Sequence, residues 1–132
     1  MNKSLVYFLI KLKNASQLKK EFIVVEYNVF HIKIIQKLYN EGFIQSFSIF
    51  DKQNPNSNSC FVLINLRVFL NKPILGTLNL LSTPSLKNIL TVTELYRIKS
   101  LKYTIFLTTS LGILTLNECK KKNLGGEALF IC

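Results

Sequence analysis

Between Tyr103 and Cys132 the hydrophobic pattern changes period repeatedly, so no single helix or strand can hold this stretch. Tyr103 to Leu107 is a β-branched and aromatic run that predicts a strand. Thr108, Thr109 and Ser110 follow, then Leu111 and Gly112, and this polar, glycine-closed segment predicts a bend. Ile113 to Thr115 predicts a second short strand. Thr115 has Glu118 three positions on, the spacing of a capping box, so a short helix should open there. That helix carries Lys120, Lys121 and Lys122 and stops at Asn123 and Gly125-Gly126. Glu127 then leads into a last apolar strand. The chain therefore ends in a β-rich region with a short helix.

A hydroxyl-rich bend, a lysine run and a double glycine lie close together here, and the combination suits a polyanion. Hydroxyl and backbone N–H groups at a tight turn can reach phosphate and sugar oxygens or base edges. Glycine lets a nucleotide approach main chain where a Cβ would block it, and lysines add sequence-independent attraction. Each element alone is an ordinary surface feature. The charge of the whole chain points the same way: 17 Lys and Arg stand against 7 Asp and Glu, for a net charge of +10. No acidic residue precedes Glu21. Such a balance implies nucleic acid or an anionic membrane surface as partner.

Cys60, Cys119 and Cys132 are odd in number and lack Cys-x-x-Cys spacing, which favours neither a disulfide framework nor a zinc site. His31 has no companion on its predicted helix and reads as structural. The apolar run Leu5 to Ile10 is much too short to span a bilayer, so no membrane insertion is expected. The first twenty residues are basic and amphipathic like a mitochondrial transit peptide, but contain no arginine.

Upstream, Leu5, Phe8, Leu9 and Leu12 form one stripe of a helix over residues 3–14, with Lys11 and Lys13 off the stripe. Residues 14–20 read as a polar loop and 21–27 as a strand. Asn28 can cap a helix over 29–41 with Ile32, Ile35, Leu38 and Tyr39 on one face, ended by Gly42. Residues 43–50 and 60–70 predict two strands joined by a polar loop, 51–59. Asn71-Lys72-Pro73 is the best domain boundary, followed by a strand at 74–81, a turn at 82–85 and another strand from Leu86. The expected fold is α+β in two small domains: an α-β-α-β-β sheet-and-helix domain, 1–72, and a β-rich domain, 73–132.

In order and spacing, Thr108-Thr109-Ser110-Leu111-Gly112 followed by Leu124-Gly125-Gly126-Glu127 resembles the C-terminal signature of one family. It is that of the bacterial-type eighth protein of the small ribosomal subunit. There the bend reads Ser-Thr-Ser-basic-Gly and the end reads Gly-(Leu or Val)-Gly-Gly-Glu. Leu9-Ile10-Lys11-Leu12-Lys13-Asn14 and Leu38-Tyr39-Asn40-Glu41-Gly42-Phe43-Ile44 are similar to two further blocks, at the family's separation. Ser82, Pro84 and Lys87 keep part of another, and Thr93-Glu94-Leu95 resembles its Asp-Glu-Leu before a short helix.

The chain also departs from that pattern. Ser4 and Tyr7 stand where aspartates are usual, Leu111 replaces the basic residue of the bend, and Ile89 replaces an aromatic. Lys102 and Tyr103 occupy a region of usual glycines, and Asn28-Val29-Phe30-His31 replaces the polar opening of the second helix. The composition favours Asn, Lys, Ile, Leu, Phe and Tyr, whose codons are largely A+T-rich. Together these features fit a divergent organellar copy, mitochondrial, with a plastid as the alternative.

The resemblance implies a structural constituent of the small ribosomal subunit. It would bind the central domain of small-subunit ribosomal RNA directly and support assembly, beside neighbouring small-subunit proteins. By the same resemblance Thr108, Thr109 and Ser110 hydrogen-bond RNA backbone and base edges at a non-Watson–Crick site. Gly112, Gly125 and Gly126 permit close approach, Glu127 orients the bend or accepts a hydrogen bond locally, and Lys11, Lys13, Asn14 and Lys87 meet phosphates. No catalytic residue, metal, cofactor or small-molecule substrate is expected. The competing reading is a basic protein of a membrane surface, using the first helix and the lysines against anionic lipid.

Overall fold

Leu5, Phe8, Leu9 and Leu12 are all buried, on a helix α1 that spans Lys3–Gln17 in the computed structural model. The structure describes residues 3–54, 57–98 and 103–132. α1 runs past its expected end near Asn14 because Ala15 and Ser16 carry the buried stripe one turn further. The expected loop shrinks to residues 18–21. Two compact units result: residues 8–77, and residues 78–132 with the start of the chain up to Tyr7.

In the unit 8–77, strand β1 (Phe22–Glu26) alternates, with Ile23 and Val25 buried and Phe22 and Val24 exposed. Asn28 caps α2 (Val29–Asn40), its side chain accepting a hydrogen bond from the Phe30 amide at 2.9 Å. α2 buries His31, Ile32, Ile34, Ile35 and Leu38. Tyr39, expected on that face, is exposed instead, and its ring meets Phe47 edge-on at 5.7 Å. It lies roughly 100° around the helix from Leu38, which carries it off the inward stripe. The His31 ring stacks on Phe8 at 4.6 Å and joins α2 to α1.

β2 (Ile44–Asn54) and β3 (Ser57–Leu66) make a long hairpin, and the sheet order is β1-β3-β2, all antiparallel. The polar loop expected at 51–59 is thus paired backbone up to Asn54 and again from Ser57. A ladder bonds through the main chain, so polar side chains do not end it. The expected loop tip, Pro55 and Asn56, lies outside the described residues. β3 stops at Leu66 rather than Leu70. Beyond it β4 (Val68–Phe69) folds back on β5 (Lys72–Pro73) through Leu70 and Asn71, at φ 49 and 61. The strand expected at 74–81 is largely a 3-10 helix, Ile74–Thr77. Leu75 is buried within it.

The other unit is built on β10 (Gly126–Ile131). β8 (Ile105–Thr109) pairs along one edge of β10, with β9 (Gly112–Thr115) outside it. β6 (Asn79–Leu80) and β7 (Ile89–Leu90) share the other edge. The strand expected from Leu86 is confined to β7, because Thr83 and Leu86 close a turn through both backbone bonds, at 2.9 and 3.2 Å. Phe106 stacks on Phe130 at 4.8 Å, both fully buried. α3 (Val92–Arg97) and α4 (Leu116–Lys122) contribute Leu95, Leu116 and Cys119 to a core with Ile105, Leu107, Leu114 and Ala128. Thr91 and Glu94 close a reciprocal capping box on α3, and the Thr115 side chain accepts the Glu118 amide at α4.

Candidate functional site

The hydroxyl bend is the tip of the β8–β9 hairpin. Thr108 pairs with Ile113 and Thr109 with Gly112, which leaves Ser110 and Leu111 as the turn. Gly112 takes φ 108 with open space where a Cβ would stand. A glycine just after a turn in this way restores the strand twist that an ordinary turn would splay. The Thr109 hydroxyl donates to the Gly112 carbonyl at 3.0 Å and accepts from the Leu111 amide at 3.2 Å. Thr109 thereby locks the turn from inside, while Ser110 is exposed beside Leu111, itself 64% exposed.

Register carries the bend into the sheet. Glu127 lies opposite Thr108 on one side and Ile89 on the other, so Ile89, Glu127, Thr108 and Ile113 form one row across four strands. Opposed residues of an antiparallel pair share a face, with Cβ atoms about 5 Å apart. At Gly125 and Gly126 the nearest neighbours are protein main chain. A Cβ on Gly126 would overlap the Thr108 carbonyl oxygen, and one on Gly125 would come within 2.7 Å of the Leu90 carbonyl oxygen. Protein main chain fills the room these glycines leave. They hold β10 against β7 and β8 and so fix the base of the hairpin.

The loop of Lys87 is equally built. Ser82 is buried; its hydroxyl donates to the Ala128 carbonyl and accepts from the Asn88 amide at 3.0 Å. The Asn88 carbonyl in turn accepts from the Ala128 amide at 2.8 Å. Lys87 is exposed on a loop pinned to β10 at both ends. The structure therefore brings Thr108, Thr109, Ser110, Gly112, Gly125, Gly126, Glu127 and Lys87 into one unit. Lys11, Lys13 and Asn14 belong to the other, on α1. There Lys11 donates to the Val24 carbonyl at 3.0 Å, Lys13 is half-buried, and Asn14 is exposed.

The anchoring role of Ser82 escapes a sequence reading, because nothing near it in sequence names Ala128 as its partner. The cap at Thr91 does carry a sequence signal, the same Thr-x-x-Glu spacing as Thr115 and Glu118. Of the groups that could do acid–base or nucleophilic chemistry, His31 is buried and desolvation lowers its pKa below 6.5. Burial pushes the Cys132 thiol up to about 12, which keeps it protonated. Among the described residues no helix is long and apolar enough to cross a membrane.

Comparison with known proteins places this architecture. The family model of ribosomal protein S8 matches residues 4–132. Small ribosomal subunit protein uS8 of Persephonella marina is 29% identical over 124 residues, covering 92% of this chain and 90% of its own. That of Blochmanniella pennsylvanica is 29% identical over 134 residues, 98% of this chain and 95% of its own. Small ribosomal subunit protein uS8c of Anthoceros angustus is 34% identical over 118 residues, 89% of this chain and 88% of its own.

Proposed function

The chain belongs to the ribosomal protein S8 family, which is a structural component of the small ribosomal subunit and not an enzyme family, and from that premise we propose that it binds small-subunit ribosomal RNA directly. The target is the central domain of that RNA, the contact region is residues 73–132, and the consequence is support of subunit assembly beside neighbouring ribosomal proteins. The observation that carries this reading is the hairpin tip: Thr109 spends its hydroxyl on the turn and Ser110 is left outward on a fixed backbone. A pre-ordered hydroxyl loses little freedom on binding and can bond a base edge or a 2′-hydroxyl. Lys87 supplies a phosphate contact from its pinned loop, and Lys11, Lys13 and Asn14 supply peripheral ones from α1. Gly125, Gly126 and Glu127 act from beneath, by setting where the hairpin stands. The uS8c relatives, with the A+T-rich-codon composition, support an organellar ribosome, which we assign to a mitochondrion with a plastid as the alternative.

The membrane-surface reading is weaker on this structure. The apolar stripe of α1 that a bilayer would have to accept is already buried at Leu5, Phe8, Leu9 and Leu12. Filter binding to a central-domain transcript tests the RNA reading. Ser110→Ala should cost about 1–2 kcal/mol of affinity, the scale of one lost hydrogen bond at a polar contact. Binding should also weaken steeply with salt. Wild-type affinity in the variant, or a flat salt response, would count against it.

A further inference from the structure

Tyr96, on α3, has a hydroxyl with a clear structural task and a ring with none. The hydroxyl donates to the Lys120 carbonyl at 2.9 Å and also meets the side-chain oxygen of Asn123, the left-handed C-cap of α4 at φ 52. In return the Lys120 ammonium donates at 2.6 Å to the carbonyl of Ile98, the C-cap of α3. Each short helix thus has a terminal carbonyl satisfied by a side chain of the other. Tyr96 is nonetheless left 57% exposed. Cations flank its anchor along the chain: Arg97 follows it directly, and Lys121 and Lys122 lie between its two hydroxyl partners in sequence. All three are exposed, and among the described residues none of them is ion-paired.

We propose that α3 and α4 form a second RNA-contacting ledge, apart from the hydroxyl hairpin, on which Tyr96 stacks an unpaired base while Arg97, Lys121 and Lys122 hold the adjoining phosphates. The proposal rests on the RNA reading above and adds a site to it. Every base presents a π face, so stacking on an aromatic ring needs no particular sequence. A ring whose far end is already tethered gives up little side-chain entropy when a base settles on it. The cations draw the backbone to the place where the ring waits. A protein surface fits less well, because the ledge offers one ring among exposed positive charges.

The test uses the full chain and a transcript of the small-subunit central domain. Tyr96→Phe keeps the ring and loses the tether, and should bind within about twofold of wild type. Tyr96→Leu loses both and should bind about tenfold more weakly. Replacing Arg97, Lys121 and Lys122 by Gln together should reduce the slope of log affinity against log salt by about 2. Ultraviolet cross-linking of the wild-type complex gives a readout independent of folding. Trypsin releases residues 88–97, in which Tyr96 is the only aromatic, and that peptide should carry a nucleotide adduct. An unmodified peptide, or wild-type affinity in Tyr96→Leu, would overturn the ledge. So would variants that bind the transcript normally but fail to enter subunits, since that outcome assigns the surface to a protein. A Ser110→Ala defect alongside intact ledge variants sinks the ledge alone, whereas a wild-type chain that ignores the transcript sinks the RNA reading with it.

Discussion

The two units reach an antiparallel sheet by opposite routes. In the unit 8–77 the central hairpin is long, 11 residues in β2 against 10 in β3, and its buried face is filled by Val62, Ile64 and Leu66. Alternation of side chains over that length fixes register, since a slip of one residue would turn every apolar group outward. In the unit 78–132, β6 and β7 are only two residues each and cannot fix register that way. They are held by single close approaches, the bare Cα of Gly125 against the Leu90 carbonyl and the Ser82 hydroxyl on Ala128, and β10 meets β8 in the same way, the bare Cα of Gly126 under the Thr108 carbonyl. Long strands fail when volume is removed. A sheet of short ones fails when one methyl is added.

The largest expected effect breaks or keeps that contrast directly. Gly126→Ala forces a Cβ into the Thr108 carbonyl oxygen, a backbone atom that cannot swing aside, and should destabilise the C-terminal unit by about 3 kcal/mol. The same change at Gly112 meets nothing within 4 Å and pays only for its left-handed φ of 108, about 1 kcal/mol. Hydrogen exchange of the β8 and β10 amides, set beside those of β2 and β3, measures both. Equal costs at the two glycines would mean that the close approach of β10 to β8 is not what holds this sheet together.

Ser82→Ala comes next. It takes a hydrogen bond from the Ala128 carbonyl in a buried place and from the Asn88 amide in a part-buried one, together worth about 2 kcal/mol. Exchange should quicken at Asn88 and along β7 and stay unchanged in β2 and β3. If protection at Asn88 survives the substitution, the loop of Lys87 is held by something other than this hydroxyl.

The same contrast explains what could be read from the sequence. The stripes of α1 and α2, the Asn28 cap and the β8–β9 bend are local patterns, and local spacing shows them. The end of α1 is not legible locally, because Asn14 looks like a loop residue while the burial of Ala15 and Ser16 that overrides it is tertiary. Ile74 to Leu81 is apolar enough for a strand, and its opening becomes a 3-10 turn with Leu75 buried, a tertiary fact that local spacing does not carry. For the candidate site, the hydroxyls and glycines stand out in sequence. What fills the space over Gly125 and Gly126 does not, because Leu90 and Thr108 reach them only through the fold of the sheet.

The smallest expected effect concerns the other unit alone. His31 belongs to residues 8–77, stacked on Phe8, and burial lowers its pKa from 6.5. At pH well above that value the imidazole is neutral in folded and unfolded chain alike, and contributes no pH dependence. As pH falls through the ordinary histidine range the unfolded chain takes up the proton first. Stability of this unit must then decline, and it levels off only once the lowered folded value has been passed. Protection of the β2 and β3 amides should therefore drop as pH falls through 6.5, and His31→Phe, which keeps an aromatic ring on Phe8, should remove that part of the drop. Protection that rises on acidification, or a variant with the wild-type pH profile, would show that His31 is solvated well enough to charge in place, and the stack on Phe8 would then have to be open to water.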